Sequence, residues 1–263
     1  MGIVNVTPDS FSDGGQFLSA ADGVEHARRL IAQGADILDI GGESTRPGAA
    51  PVSEFDEILR VVPLIEAVRR ASDVPISVDT MKPAVARAAI KAGATIWNDV
   101  TALRFSPEAP EVAAELGCDV VLMHMLGEPG TMQDAPCYED VVAEVEAFLL
   151  GRALTAMAAG VAREKIWLDP GIGFGKTLEH NLVLLAALPR FVALGYPILL
   201  GASRKRFIAG VDPSAHAASD RLGGSIAAHL AGAQAGVAAV RVHDVRETVQ
   251  ALDVLAAIRD RTA

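Results

Sequence analysis

Two carboxylates and an amide, Asp79, Asn98 and Asp169, each follow directly on a short apolar run, in "SVDT", "WNDV" and "LDPG". A carboxylate offers only acceptors and a carboxamide offers acceptor and donor, so this set suits a flat ligand with several N–H groups along one edge. A second set carries basic and polar donors: Lys205 in "SRK", Arg241 and His243 in "RVHD", Arg46 in "STRPG", and the amide of Asn5. Those types suit a polyanion, with or without a divalent metal. No Ser–His–Asp order or cysteine nucleophile is apparent, although Ser203 stands two residues before Lys205. A Schiff-base lysine calls for an apolar pocket, and Lys205 is flanked by Arg204 and Arg206. His124 lies between Met123 and Met125 with no second histidine at ligand spacing, which fits a pocket wall better than a metal ligand.

These groups need elements to place them. Apolar, largely β-branched runs recur at residues 3–6, 37–40, 76–78, 95–97, 120–123, 166–168, 198–200 and 237–242. Amphipathic stretches rich in Ala, Leu and Arg lie between and after them, at about 19–33, 53–71, 83–92, 108–116, 139–159, 179–194, 219–235 and 246–260. Gly34, Gly93, Gly117, Gly160, Gly195 and Gly236 stand where helices should end. Continuous rather than alternating apolar runs are the mark of buried parallel strands. The pattern predicts an α/β fold, a (β/α)8 TIM barrel, as a single domain over residues 1–263. A doubly wound sheet is the alternative, but it would carry a glycine-rich turn after its first strand.

In such barrels catalytic groups collect at the C-terminal ends of the strands. Every run here ends in a polar group: Asn5, Asp39, Asp79, Asn98 with Asp99, His124, Asp169, Ser203 to Lys205, and Arg241 to Asp244. Helix capping accounts for any one of them, and Asp99 and Asp244 read as such structural partners. It accounts poorly for the whole ring, because the opposite strand ends carry mostly Gly, Ala and Pro. With Met1 almost in the first strand, either a helix end covers the barrel floor or the native chain begins upstream.

Net charge is −10 with scattered basic residues, which argues against nucleic acid as partner. Apolar residues make up 51% of the 263, yet no run approaches the about 18 that a membrane span needs. Two cysteines, Cys118 and Cys137, are too few for a disulfide framework and fit a reducing cytoplasm. The polar stretch "NVTPDSFSDGG" holds one large aromatic, Phe11. Either Phe11 is an anchor, or the loop is a lid that closes over a bound ligand.

In order, "MGIVNVTPDSFSDGG", "DIGGESTRPGA", "SVDT", "NDV", "MHM", "GTMQ", "LDPGIGFGK", "GASRKRF" and "RVHD" resemble the dihydropteroate synthase family of the folate pathway, over essentially the whole chain. The resemblance implies a transferase that joins 7,8-dihydropterin-6-ylmethyl diphosphate to p-aminobenzoate, releases diphosphate and uses Mg²⁺. It implies pterin contacts from Asp79, Asn98, Asp169 and Lys205, with Arg241 stacked on the ring and Met123 or Met125 as apolar wall. Diphosphate falls to Asn5, Arg46, Arg241 and His243, and the metal to Asn5 and Asp9. Phe11, Thr45, Arg46, Pro47, Phe174 and Ser203 match the p-aminobenzoate pocket, and Asp79, Lys205, Arg241 and His243 the catalytic set. On the lid reading, Phe11 joins that pocket only after the pterin diphosphate is bound. Sulfonamides, which resemble p-aminobenzoate, are expected inhibitors, and a homodimer through helices late in the chain is expected. The family's chain starts somewhat further upstream, with a hairpin that caps the floor. A methyltransferase acting between a folate and a corrinoid protein would share the pterin carboxylates without needing "TPDSFSDGG", "STRPG" and "SRK" together. A pterin binder without catalysis remains a further alternative.

Overall fold

Each apolar run forms a short strand, and the stretches between them form helices that pack on the outside. The computed structural model describes residues 1–6, 20–44, 50–127 and 130–261. Among these the order is β1 (Gly2–Asn5), α1 (Ala20–Ala32), β2 (Leu38–Gly41), α2 (Glu54–Ala71), β3 (Ile76–Asp79), α3 (Pro83–Ala92), β4 (Ile96–Asp99), α4 (Ala109–Leu116), β5 (Asp119–Met123) and α5 (Val141–Ala159). It continues with β6 (Ile166–Asp169), α6 (Leu178–Ala186), α7 (Leu188–Val192), β7 (Leu199–Leu200), α8 (Arg206–Val211), α9 (Leu222–Ala235), β8 (Ala239–Val240) and α10 (Val245–Arg259).

Strands β1 to β6 pair in sequence, all parallel. A bridge from Leu168 to Ile198 carries the ladder on to β7, which pairs with β8. A last bridge from Gly2 to Val242 returns it to β1, where Ile3 N donates to Val242 O at 3.0 Å and Val242 N to Met1 O at 2.9 Å. The ring is closed, so the fold is the expected (β/α)8 barrel and not an open doubly wound sheet.

The strand interior is layered. Leu38, Ile40, Ile76, Val78, Trp97, Val120, Leu122, Ile166 and Leu168 point outward and pack against the helices through residues such as Leu64, Ile65, Ala89 and Leu149. The alternate positions fill the lumen. Near the floor they are Met1, Ile96, Val121 and Leu199, with Ile37, Trp167 and Ala239 against them. Two residues further along the same strands stand Ile3, Asn98, Met123, Gly201, Asp39, Asp169 and Arg241. One step of the strand's two-residue period therefore separates an apolar floor from a largely polar mouth.

All six expected helix-ending glycines take positive φ. The expected helix at 179–194 is two, α6 and α7, with the break at Ala187, because Pro189 opens a new helix rather than continuing the old one. The short α8 was outside the expected pattern. Among the described residues no helix is long and apolar enough to cross a membrane.

Candidate active site

Arg241, just past β8, spans the mouth. Its Nε donates to Asp39 Oδ2 at 2.5 Å and its Nη2 to Asp79 Oδ2 at 2.6 Å. Asn98 Nδ2 lies 3.4 Å from both oxygens of Asp39. Burial alone would lower the Arg241 pKa, but the two carboxylates more than offset it and hold the guanidinium charged. Burial pushes Asp79 above the ordinary carboxylate range, while Arg241 pulls against it and the charge of Asp39 adds to the rise. The side-chain oxygen of Asn5 and the Asp79 carboxylate border the same glycine: each lies 3.7 Å from where a Cβ on Gly41 would sit.

On the other side stands Asp169, at the end of β6. Its Oδ1 accepts from Gly171 N at 2.7 Å. Burial pushes its pKa up to about 6, against the pull of the Gly171 amide, Lys205, Lys176 and Arg241. Lys205 Nζ sits 4.0 Å over the centre of the Phe174 ring. Burial, and then Arg241, bring Lys205 down to about 8. Arg204 turns away from it, in left-handed backbone (φ 57°), and pairs with Asp244 at 2.9 and 2.5 Å. Arg204, although next to Lys205 in sequence, is therefore paired elsewhere.

Ser203 Oγ accepts from His243 N at 3.2 Å and lies 3.0 Å from His243 Nδ1. Burial, with Arg241 and Arg204 nearby, lowers His243 to about 3, so the ring is neutral. If the Ser203 hydroxyl donates to Nδ1, the proton resides on Nε2.

The loop after β6 runs hard against the segment after β5. A Cβ on Gly171 would fall 1.9 Å from His124 O, and one on Gly175 would fall 2.7 Å from Leu126 O. Both glycines also take positive φ, so no other residue fits either position. The loop thereby brings Phe174 into a small cluster with Val100, Met123, Met125 and Met132. His124 faces the other way, edge-on to Phe148 at 4.9 Å.

The structure thus gathers Asn5, Asp79, Asn98, Met123, Met125, Asp169, Phe174, Ser203, Lys205, Arg241 and His243 at one end of the barrel. Asp9, Phe11, Thr45, Arg46 and Pro47 lie outside the described residues, and so does the expected lid. Asp99 is a structural partner as expected: it accepts from Thr101 N and Leu103 N, both at 2.7 Å.

Three features went unassigned in the sequence. Asp39 is fully buried and is the shared partner of Arg241 and Asn98. Lys176 is buried behind the loop after β6. Lys82 Nζ donates to Glu57 at 2.6 Å, Glu43 at 2.8 Å and Val52 O at 2.7 Å, which ties both ends of segment 43–52 to the end of β3.

The family model described as pterin binding enzyme matches residues 1–243. The dihydropteroate synthase of Escherichia coli K12 is 51% identical over 260 residues, 98% of this chain and 90% of that protein. A Xanthomonas albilineans dihydropteroate synthase solved with 4-aminobenzoic acid superposes with a TM-score of 0.92 at 51% identity, covering 98% of this chain and 92% of that one. A Yersinia pestis dihydropteroate synthase in a sulfonamide drug complex gives 0.93 at 45% identity, with 98% and 93% covered. The chain belongs to the pterin-binding enzyme family and, within it, to the dihydropteroate synthases.

Proposed function

We propose that this chain condenses 7,8-dihydropterin-6-ylmethyl diphosphate with p-aminobenzoate to give 7,8-dihydropteroate and diphosphate, with the residues of the mouth in the following roles. The observation that carries this assignment is the presence of two carboxylates with opposed surroundings: the partly buried Asp79 bound to Arg241, and the buried Asp169 free of any side-chain ion pair at contact distance among the described residues. The ionised Asp169 accepts two N–H bonds from the amino-pyrimidinone edge of the pterin. Asn98 and Asp79 meet the rest of the ring edge, Lys205 donates to its acceptors, and Met123 and Met125 form the soft wall. Arg241 stacks on the ring, and with two of its nitrogens held by Asp39 and Asp79, Nη1 is the one we assign to the diphosphate. His243 offers an uncharged Nε2–H donor to the same anion, beside Asn5 and Arg46.

Magnesium belongs to this reading. Among the described residues no three His, Cys, Asp or Glu side chains gather as a metal site. The chain's described donor is the amide oxygen of Asn5 beside Asp79, with Asp9 as second ligand. So sparse a set fits a hard cation that arrives with the oxygens of its diphosphate and keeps several waters. When bound, the metal neutralises charge on the leaving diphosphate.

Cleavage of the bond between methylene carbon and diphosphate oxygen leaves positive charge spread into the pterin, and the Asp79 carboxylate stabilises it. The arylamine lone pair attacks the methylene carbon and the amine then loses a proton, so no protein nucleophile takes part. Phe174 and Ser203, with Phe11, Thr45, Arg46 and Pro47, hold the arylamine. Sulfonamides occupy the same place, as the Yersinia pestis complex suggests by likeness. Two copies pair through late helices, where Val254 and Ile258 of α10 expose apolar surface one turn apart. Two free thiols agree with a reducing cytoplasm. The test measures diphosphate released from the pterin substrate with Mg²⁺, with and without p-aminobenzoate. Release matched by dihydropteroate is expected; tight pterin binding with no release would leave a binder, and methyl transfer to a corrinoid protein would replace the reading.

A further inference from the structure

Lys176 stands apart from the roles assigned above. It is 3% exposed, and its Nζ lies 2.9 Å from His124 Nδ1, 3.0 Å from Phe174 O and 3.4 Å from His124 O. An ammonium has three protons, and these three acceptors use them all. All three are uncharged, since burial lowers the His124 imidazole to about 3. A lysine buried among neutral acceptors is a poor stabilising device, because an apolar side chain would fill the place without desolvating a charge. Its acceptors are informative: two belong to His124, the residue after β5, and the third to Phe174, whose ring lies under Lys205. The same loop is held by Gln133 Nε2 on Gly173 O at 2.6 Å and Tyr138 Oη on Gly175 O at 2.8 Å, while Gly173 N donates to Asn181 Oδ1 at 2.6 Å. Lys176 Nζ also lies 3.4 Å from where a Cβ on Gly171 would sit, and the amide of Gly171 is the one bound to Asp169.

We infer that Lys176 is a positioning residue: it fixes the loop carrying Phe174 to the end of β5 and keeps a positive charge behind Asp169, so that this carboxylate meets the pterin ionised. The inference rests on the roles of Asp169 and Phe174 given under the proposed function. The cations that bear on Asp169 are Lys205, Lys176 and Arg241, together with the Gly171 amide. Burial lowers Lys176 to about 7, with Asp169 opposing and Lys205 adding, so its ammonium is charged at about pH 6, where Asp169 titrates.

The test uses Lys176→Met and Lys176→Gln in the full chain. The probe is 6-hydroxymethyl-7,8-dihydropterin, which has no diphosphate to titrate, with binding followed by calorimetry from pH 5 to 8.5. Wild-type affinity should fall as pH drops through about 6. In both variants the midpoint should rise by about half to one pH unit, since a favourable charge has left the carboxylate's surroundings. Lys176→Met should also raise the KM for p-aminobenzoate roughly tenfold, as loss of a tether beside a binding group does. Lys176→Gln, whose amide can still donate to Phe174 O, should recover most of that KM and none of the pH shift. If Lys176→Met fails to fold, the midpoint in Lys176→Gln decides alone. A lowered melting temperature with an unmoved midpoint in Lys176→Gln makes Lys176 a structural strut and overturns the inference. Wild-type affinity that is flat across the range would instead overturn the role of Asp169, and the inference with it.

Discussion

The two ends of the same eight strands are built for opposite purposes. At the floor Met1, Ile96, Val121 and Leu199 fill the lumen with apolar volume. Two residues onward, Asp39 and Asp169 place carboxylates and Asn98 an amide where burial is just as deep, with the partly buried Arg241 beside them. Apolar burial at the floor stabilises the fold, at about 25 cal/mol per Å² removed from water. At the mouth, burial of carboxylates opposes folding, and their raised pKa values are the sign of it. Stability and chemistry are thus divided along the barrel axis within one turn of the pleat.

Arg241 is where that division should break most visibly. Arg241→Ala leaves Asp39 and Asp79 without their counter-charge, and breaking such a buried pair costs about 3–5 kcal/mol. A mouth substitution should therefore lower stability in denaturant melts as much as a core one. It should also abolish the thermal protection expected of diphosphate with Mg²⁺ in the wild type. Next in size, Leu199→Ala removes fully buried floor volume and should lower unfolding free energy by about 2–5 kcal/mol. Its KM values, measured well below the melting temperature, should stay at wild type; a raised KM would show that the floor reaches the site.

Asp169→Asn sharpens the contrast from the other side. On the proposed pterin contact it would place a donor against donors, at about 1–3 kcal/mol, so affinity by calorimetry should fall roughly ten- to hundredfold. Unchanged pterin affinity would remove Asp169 from the site. His243→Ala should weaken protection by diphosphate with Mg²⁺ by about 1 kcal/mol, with little effect on the free enzyme's melting temperature. The smallest effect is in pH. The folded pKa of Asp169, about 6, lies above its unfolded value, so the folded state binds this proton more tightly. The contribution is present below the unfolded pKa and is lost as pH rises through about 6. Asparagine lacks that loss, so Asp169→Asn should gain stability relative to wild type between pH 5 and 8, on the order of 1–2 kcal/mol. A constant difference across that range would mean the carboxylate is not titrating there.

Much of the fold is legible from the sequence because barrel strands and helix ends leave local marks. All eight apolar runs become strands or reach into them, and the six glycines end their helices. The layering is not legible. Parallel strands buried on both faces are apolar at every position, so nothing local tells the lumen from the helix side. Asp39 shows the consequence: the sequence places it among the strand-end groups, yet its own full burial and its ion pair with Arg241 depend on a lumen that only closure creates. Lys176 is the last letter of "LDPGIGFGK", where the glycines carry the local signal. A lysine after a loop looks solvated until His124 is folded against it. Residues 179–194 read as one helix, although Pro189 within them opens a second one.

Arg241 stands 202 residues after Asp39 and 162 after Asp79. A chain made from its N-terminus therefore displays both acids long before their counter-ion exists, and the seam between Gly2 and Val242 closes no earlier. Ring closure and charge neutralisation of the mouth become a single late event in biogenesis. A nascent chain stalled before residue 241 would hold Asp39 and Asp79 without the guanidinium that joins them.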